Sequence, residues 1–195
     1  MKVLAIAGSP RRGGNTETLL DRVLAGAAAA GAETEKIVAC NLKMRGCLHC
    51  GGCLETGVCV QRDDMTELYP KLQQMDAFVL ASPLMFMNVS SQAKMIIDRL
   101  QCVWVAKYVL KQPFTGGRKR RGLFICAGGM DRPDMFSGVR MTVKAVFSTL
   151  DVKYDEEMLY PHTDEKGAIL GHTTALDDAF ASGDRLVTGP AIVSA

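Results

Sequence analysis

Short strand-like segments alternate with helical stretches along this chain, and the alternation constrains the fold more than any other feature of the sequence. Five such segments can be recognised: KVLAIA (2–7), TEKIVAC (34–40), AFVLAS (77–82), GLFICA (122–127) and VKYDEEM (152–158). Strands that alternate with helices form parallel βαβ units, and right-handed crossovers place the helices on both faces of one sheet. The sequence therefore predicts an α/β fold built on a doubly wound, five-stranded parallel sheet.

Helical periodicity fills the intervals between these strands. Apolar residues recur at helical spacing in four stretches: 16–30, 90–103, 138–150 and 174–187. Asn15 or Thr16 is the expected N-cap of the first helix. Asp64 and Glu67 have the spacing of a capping box for a further helix, which is expected to begin close to Pro70.

Three unusual loops follow the carboxyl ends of the first, third and fourth predicted strands. They comprise residues 8–16, 82–90 and 127–131. In a doubly wound sheet, ligands bind beyond the carboxyl ends of the strands. We therefore expect the three loops to meet at one crevice.

The first of these loops, GSPRRGGNT, has the chemistry of a phosphate-binding turn. Gly13 and Gly14 allow the backbone to turn its N–H groups inward, and the following helix start adds a partial positive charge. Further donors come from the side chains of Ser9, Asn15, Thr16 and either Arg11 or Arg12. The spacing matches neither GxGxxG nor the P-loop pattern, so a single terminal phosphate fits better than a dinucleotide. The alternative is a capped turn with solvated arginines.

Four of the seven cysteines form a compact motif, CLHCGGCLETGVC. Cys47, Cys50, Cys53 and Cys59 follow a C-x2-C-x2-C-x5-C spacing, which suits one [4Fe-4S] cluster because the last gap is longer than in the ferredoxin run. Zinc bound by four thiolates is a second interpretation, although zinc sites more often use two separated C-x2-C pairs. A third interpretation is a loop of free thiols that contacts a partner.

Composition limits the remaining classes. The chain has 195 residues, of which 48% are hydrophobic, so we expect one globular domain over 1–195 with a cysteine loop inserted at 45–62. A formal net charge of +2 provides no basic stripe for nucleic acid, and the RKRR run (118–121) is expected to be a solvated face. Neither a signal peptide nor an apolar run of roughly 20 residues is present, which predicts a cytoplasmic protein without a membrane partner.

Three segments together give the chain a family resemblance: GSPRRGGNT, SPLMFMNVSSQAKMIIDR (82–99) and the intervening cysteine cluster with DDM. The chain resembles the flavodoxin-like NAD(P)H-dependent FMN reductases and, among them, the iron-sulfur flavoproteins. The resemblance implies a flavodoxin-like fold and an FMN whose phosphate is held by Ser9, Arg11, Asn15 and Thr16. It implies that the isoalloxazine edge is lined by Pro83, Leu84, Met85, Phe86 and Asn88, and that Ala127, Gly128 and Gly129 close over the ring. It also implies a [4Fe-4S] cluster on Cys47, Cys50, Cys53 and Cys59.

Function follows from the resemblance in the same way. It implies an oxidoreductase that takes hydride from NAD(P)H, or electrons from a ferredoxin, and passes electrons to a flavin, quinone or iron-sulfur acceptor. It also implies a homodimer or homotetramer. Met85 and Met87 depart from the tyrosine and glycine that are common in the family, which predicts a more crowded pocket. Two non-enzymatic alternatives are a flavodoxin-type electron carrier, disfavoured by the near-neutral charge, and a zinc-stabilised interaction module.

Overall fold

A five-stranded sheet, parallel throughout, forms the centre of the computed structural model, which describes residues 1–116, 118, 120–132 and 134–189. Its strands are β1 (Lys2–Ala7), β2 (Glu33–Val38), β3 (Ala77–Pro83), β4 (Arg120–Ala127) and β5 (Val152–Tyr160). They are arranged in the order β2-β1-β3-β4-β5, so the chain moves first to one side of β1 and then to the other. The predicted α/β fold with a doubly wound parallel sheet is confirmed.

Helices cover both faces of this sheet. They are α1 (Asn15–Ala29), α2 (Met65–Gln74), α3 (Ser91–Arg99), α4 (Gln101–Trp104), α5 (Ser137–Thr149) and α6 (Ala175–Thr188). The two faces separate by residue parity: Leu4 and Ile6 pack with α2, α3 and α5, whereas Val3 and Ala5 pack with α1 and α6. Within the described ranges, no helix is long and apolar enough to cross a bilayer.

The predicted N-cap of α1 is wrong, and at α2 Asp64 precedes the helix as predicted but makes no capping bond, because other partners take the side chains involved. Helix α1 begins at Asn15, and the residue before it, Gly14, contributes no side-chain cap. At α2, the Asp64 carboxylate accepts the Lys43 N–H at 2.7 Å, and Asp63 accepts the Met65 N–H at 3.1 Å. The expected capping box is therefore replaced by bonds that tie the cysteine loop to α2.

Only part of the basic run at 118–121 is solvated as its composition suggests: Arg118 is exposed, whereas Arg121 is half-buried. Lys119 lies outside the described residues. Arg120 is buried, and it donates to the carbonyl oxygens of Leu72 and Gln73 in the last turn of α2. Burial lowers the pKa of Arg120 to about 10. Arg120 thus satisfies helix-end carbonyls in the protein interior.

Candidate functional site

A cleft of about 140 Å³ lies at the carboxyl ends of β1, β3, β4 and β5. Its walls are formed by Ser9, Pro10, Arg11, Gly14, Asn15, Thr16, Pro83, Leu84, Met85, Ala127, Gly128, Thr163 and Asp164. The structure therefore brings together most of the residues that the sequence assigned to FMN. Phe86, Asn88 and Gly129 were also assigned to it, but they do not line this cleft.

The start of α1 gives one end of the cleft the character of an anion site. The first helical bond runs from the Thr18 N–H to the Gly14 carbonyl at 2.9 Å. Among the described residues, no acceptor is recorded for the N–H groups of Asn15, Thr16 and Glu17 or for the hydroxyl of Thr16. Unpaired N–H groups at a helix start, with the positive end of the helix dipole, favour a bound phosphate.

Glu17 organises the turn beside this helix start. Its carboxylate accepts the Gly13 N–H at 2.7 Å and pairs with Arg12 at 2.7 Å and Lys36 at 3.1 Å. Burial acts to raise the pKa of Glu17, but the Gly13 hydrogen bond and the two cations outweigh it and hold the pKa below its ordinary value. The salt bridge to Glu17 places Arg12 outside the cleft wall, whereas Arg11 is part of that wall.

Asn15 has a different role from the one expected. Its side-chain amide donates to the carbonyls of Thr163 and Glu165 at 2.9 and 2.8 Å. Its amide oxygen accepts the N–H groups of Gly167 and Ile169 at 2.9 and 3.3 Å. All of the hydrogen-bonding capacity of the amide is thereby used. Asn15 fastens the loop after β5 to the phosphate turn, and only its backbone N–H remains for a ligand.

This loop after β5 is the part of the site that the sequence analysis missed. Thr163 and Asp164 line the cleft, the Thr163 N–H donates to Gly128 at 3.0 Å, and the Asp164 carbonyl accepts from Arg11 at 3.0 Å. One signal was available: the polar segment HTDEKG (162–167) follows the fifth strand, whose carboxyl end lies at the same sheet edge.

The loop after β3 makes a tight turn that carries two predicted residues away from the cleft. Met85 and Asn88 exchange backbone hydrogen bonds of 2.8 and 2.9 Å, with Phe86 and Met87 at the tip. Both tip residues have positive φ, 47° and 61°, and Phe86 is fully exposed. A reversal this short leaves Phe86 no neighbours to pack against. The Asn88 oxygen accepts the Val89 N–H at 2.8 Å.

A second cavity, of about 170 Å³, contains the cysteine motif. Cys47, Cys50, Cys53 and Cys59 all line it, as does the buried thiol of Cys102 from α4. Burial, and secondarily charge on the other motif thiols, raises the pKa of Cys53. Within the described part of the chain, no three His, Cys, Asp or Glu side chains are grouped as they would be around a single metal ion.

The donor set of this cavity nevertheless suits a cluster. The four motif thiols surround one space, and each iron of a cluster takes a separate thiolate. Arg99 lies in the same wall with a fully buried guanidinium, whose Nε has no hydrogen-bond partner among the described residues. The Asp63 carboxylate balances the charge of this guanidinium, so the Nε–H is what Arg99 can offer to a hydrogen-bond acceptor such as a cluster sulfur.

Comparison with known protein families shows which family the chain belongs to. A family model described as NADPH-dependent FMN reductase matches residues 1–134, which include the phosphate turn, the cysteine loop and the loop after β3. The chain belongs to the NADPH-dependent FMN reductase family. The chain is therefore a member of an oxidoreductase family. Thr163 and Asp164 lie beyond the matched part of the chain.

Relatives of this chain include two archaeal proteins, each named an iron-sulfur flavoprotein. The one from Archaeoglobus fulgidus is 36% identical over 154 residues, which cover 79% of this chain and 67% of that protein. The one from Methanocaldococcus jannaschii is 41% identical over 99 residues, and the chain spans about half of its length (51%). Among solved structures, an NAD(P)H:quinone oxidoreductase from Methanothermobacter marburgensis shares the flavodoxin-like fold, with a TM-score of 0.72, 18% identity and coverage of 95% and 98%.

Proposed function

We propose that this protein binds FMN in the cleft and transfers electrons from NAD(P)H to a small-molecule acceptor. The observation that carries the proposal is the start of α1, whose unpaired N–H groups open into a cleft with an apolar wall at the far end. A bound FMN would supply the hydride-transfer and electron-transfer chemistry. Family membership supports the same assignment.

The protein residues provide binding and orientation in this proposal. The terminal phosphate would be held by the Asn15 and Thr16 N–H groups and by the Thr16 hydroxyl, where the helix dipole favours a dianion. At the other end, Pro83 and Leu84 form an apolar wall that keeps water from the ring system. The Leu84 N–H donates to Ala127 at 2.8 Å, and this bond fixes the two ring-side loops against each other.

We further propose that the cysteine cavity holds a [4Fe-4S] cluster on Cys47, Cys50, Cys53 and Cys59. The support is the spacing of the motif, the shared cavity and the names of the two archaeal relatives. A bound cluster would supply one-electron transfer. Five features stay predictions: a ferredoxin donor, a quinone-like acceptor, a homodimeric or homotetrameric assembly, a cytoplasmic location and a single domain over 1–195.

One purification tests the proposal as a whole. Protein prepared anaerobically is expected to show flavin bands with a broad iron-sulfur shoulder, to release FMN on heating, and to oxidise NAD(P)H in the presence of a quinone. Release of FAD would contradict the phosphate site. Bound FMN without NAD(P)H oxidation would indicate an electron carrier, and zinc without flavin would indicate an interaction module.

Replacing Thr16 by alanine tests the phosphate site directly. We expect FMN to bind roughly tenfold to a hundredfold more weakly, because a hydrogen bond to a charged group contributes about 1.5 to 3 kcal/mol. Titration of the flavin-free protein with FMN measures the change. Thr18→Ala is the matched control, since Thr18 lies on the same helix and is not in the cleft wall. Equal affinities of the two variants would place the phosphate elsewhere.

A further inference from the structure

Arg99, the last residue of α3, is one of the largest fully buried side chains in the described part of the protein. Its Nη1 and Nη2 atoms donate to the Asp63 carboxylate at 2.6 and 3.1 Å, and Nη1 also donates to the Arg45 carbonyl at 2.9 Å. Arg45 precedes the cysteine motif and Asp63 follows it. Arg99 therefore binds both ends of the cysteine loop.

This clamp leaves one donor of Arg99 unused. The Nε atom is buried and has no partner among the described residues, although a buried N–H without an acceptor costs about 1 to 3 kcal/mol. Arg99 belongs to the cavity wall together with all four motif cysteines. Of the described residues in that wall, it alone carries a permanent charge. The Asp63 pair occupies Nη1 and Nη2, so the Nε–H is the donor that remains on a residue lining the cysteine cavity.

We propose that Arg99 is a positioning residue of the cysteine site, which offers its Nε–H and its positive charge to the sulfur atoms of a bound iron-sulfur cluster. The inference rests on the proposed function, because it needs a cluster in the cavity. Cluster potentials depend on net charge and on hydrogen bonds to the sulfurs. Reduction adds one negative charge, so a buried cation and donor stabilise the reduced form more than the oxidised form.

The chain offers a matched control for this idea. Arg120 is also fully buried and also has an Nε without a partner among the described residues, but it caps α2 and is absent from the cysteine cavity wall. Arg99→Gln and Arg120→Gln each remove one buried guanidinium. Arg99→Lys keeps a cation for Asp63 and removes the Nε–H, and it serves if Arg99→Gln does not fold.

The test is a dithionite titration of each reconstituted protein, followed by the visible spectrum and electron paramagnetic resonance of the cluster. Arg99→Gln is expected to lower the ratio of reduced to oxidised cluster at a given potential at least tenfold. This change corresponds to a fall of about 59 mV in the reduction potential of a one-electron couple. Arg99→Lys is expected to shift in the same direction by less, and Arg120→Gln is expected to match the wild type.

Each other outcome has a defined meaning. If both Arg99 variants have the wild-type reduction potential and full iron content, the inference is overturned and the cluster proposal stays intact. Loss of iron from both Arg99 variants would reduce Arg99 to a structural clamp and also overturn it. A wild type that takes up no iron and sulfide would overturn the cluster proposal and this inference together.

Discussion

Replacing Cys53 by alanine is expected to remove iron and acid-labile sulfide from the protein while FMN stays bound. Cys53 is the third of the four motif thiols and lines the cavity, so its loss would leave one iron of a cluster without its thiolate. The phosphate turn belongs to a different segment and to a separate cleft, which explains why flavin is retained. The broad visible absorbance should disappear, and the flavin bands should remain. Metal and sulfide analysis of anaerobic protein measures the effect.

Cys40→Ala is the control for this experiment. Cys40 is an exposed thiol that does not line the cysteine cavity, so its removal should leave iron, sulfide and spectrum unchanged. Loss of zinc instead of iron from Cys53→Ala would support the zinc interpretation. An unchanged metal content would support free thiols. Wild-type protein with less than about one iron per chain after reconstitution would exclude a cluster, which needs about four.

Replacing Asn15 by alanine is expected to lower the free energy of unfolding by about 3 kcal/mol, because four hydrogen bonds, one buried and three partly buried, are lost and several of their partners stay unpaired. These partners are the carbonyls and N–H groups of the loop after β5. For a chain of this length the loss corresponds to a fall of roughly 6 to 12 °C in Tm. FMN should also bind more weakly, since this loop forms one wall of the cleft.

Asn41→Ala is a matched control for stability, because Asn41 is exposed. Asn15→Asp separates the two kinds of bond: the ionised carboxylate can accept from Gly167 and Ile169 but cannot donate to the Thr163 and Glu165 carbonyls, whereas the protonated carboxyl at low pH regains one donor. We expect its stability to lie between those of the wild type and Asn15→Ala at low pH. Calorimetry checks both variants. If Asn15→Ala melts within about 1 °C of Asn41→Ala, the loop is held by other contacts.

The sequence alone determined the layout of the sheet and the place of the ligand cleft. Periodicity identified all five strands, and β1 agrees residue for residue with KVLAIA, because a strand buried on both faces must be an uninterrupted apolar run. Glycines and hydroxyl residues after β1 predicted a phosphate turn, and the structure places residues of that turn in the cleft wall. The spacing of the cysteines likewise indicated the second cavity.

Only the tertiary structure decided how distant segments share their polar groups. Asn15 reads as a cap or phosphate ligand in the sequence, but residues about 150 positions later use its whole amide. Asp63, and not the predicted Asp64 with Glu67, became the partner of the Met65 N–H and of Arg99. A side chain with several hydrogen-bonding atoms can bond to near neighbours or to distant segments of the chain. When the side chain is buried, the arrangement that leaves none of these atoms unpaired is favoured. Sequence spacing indicates only the hydrogen bonds that residues near each other in the chain can form. The long-range partners are found only in the folded structure.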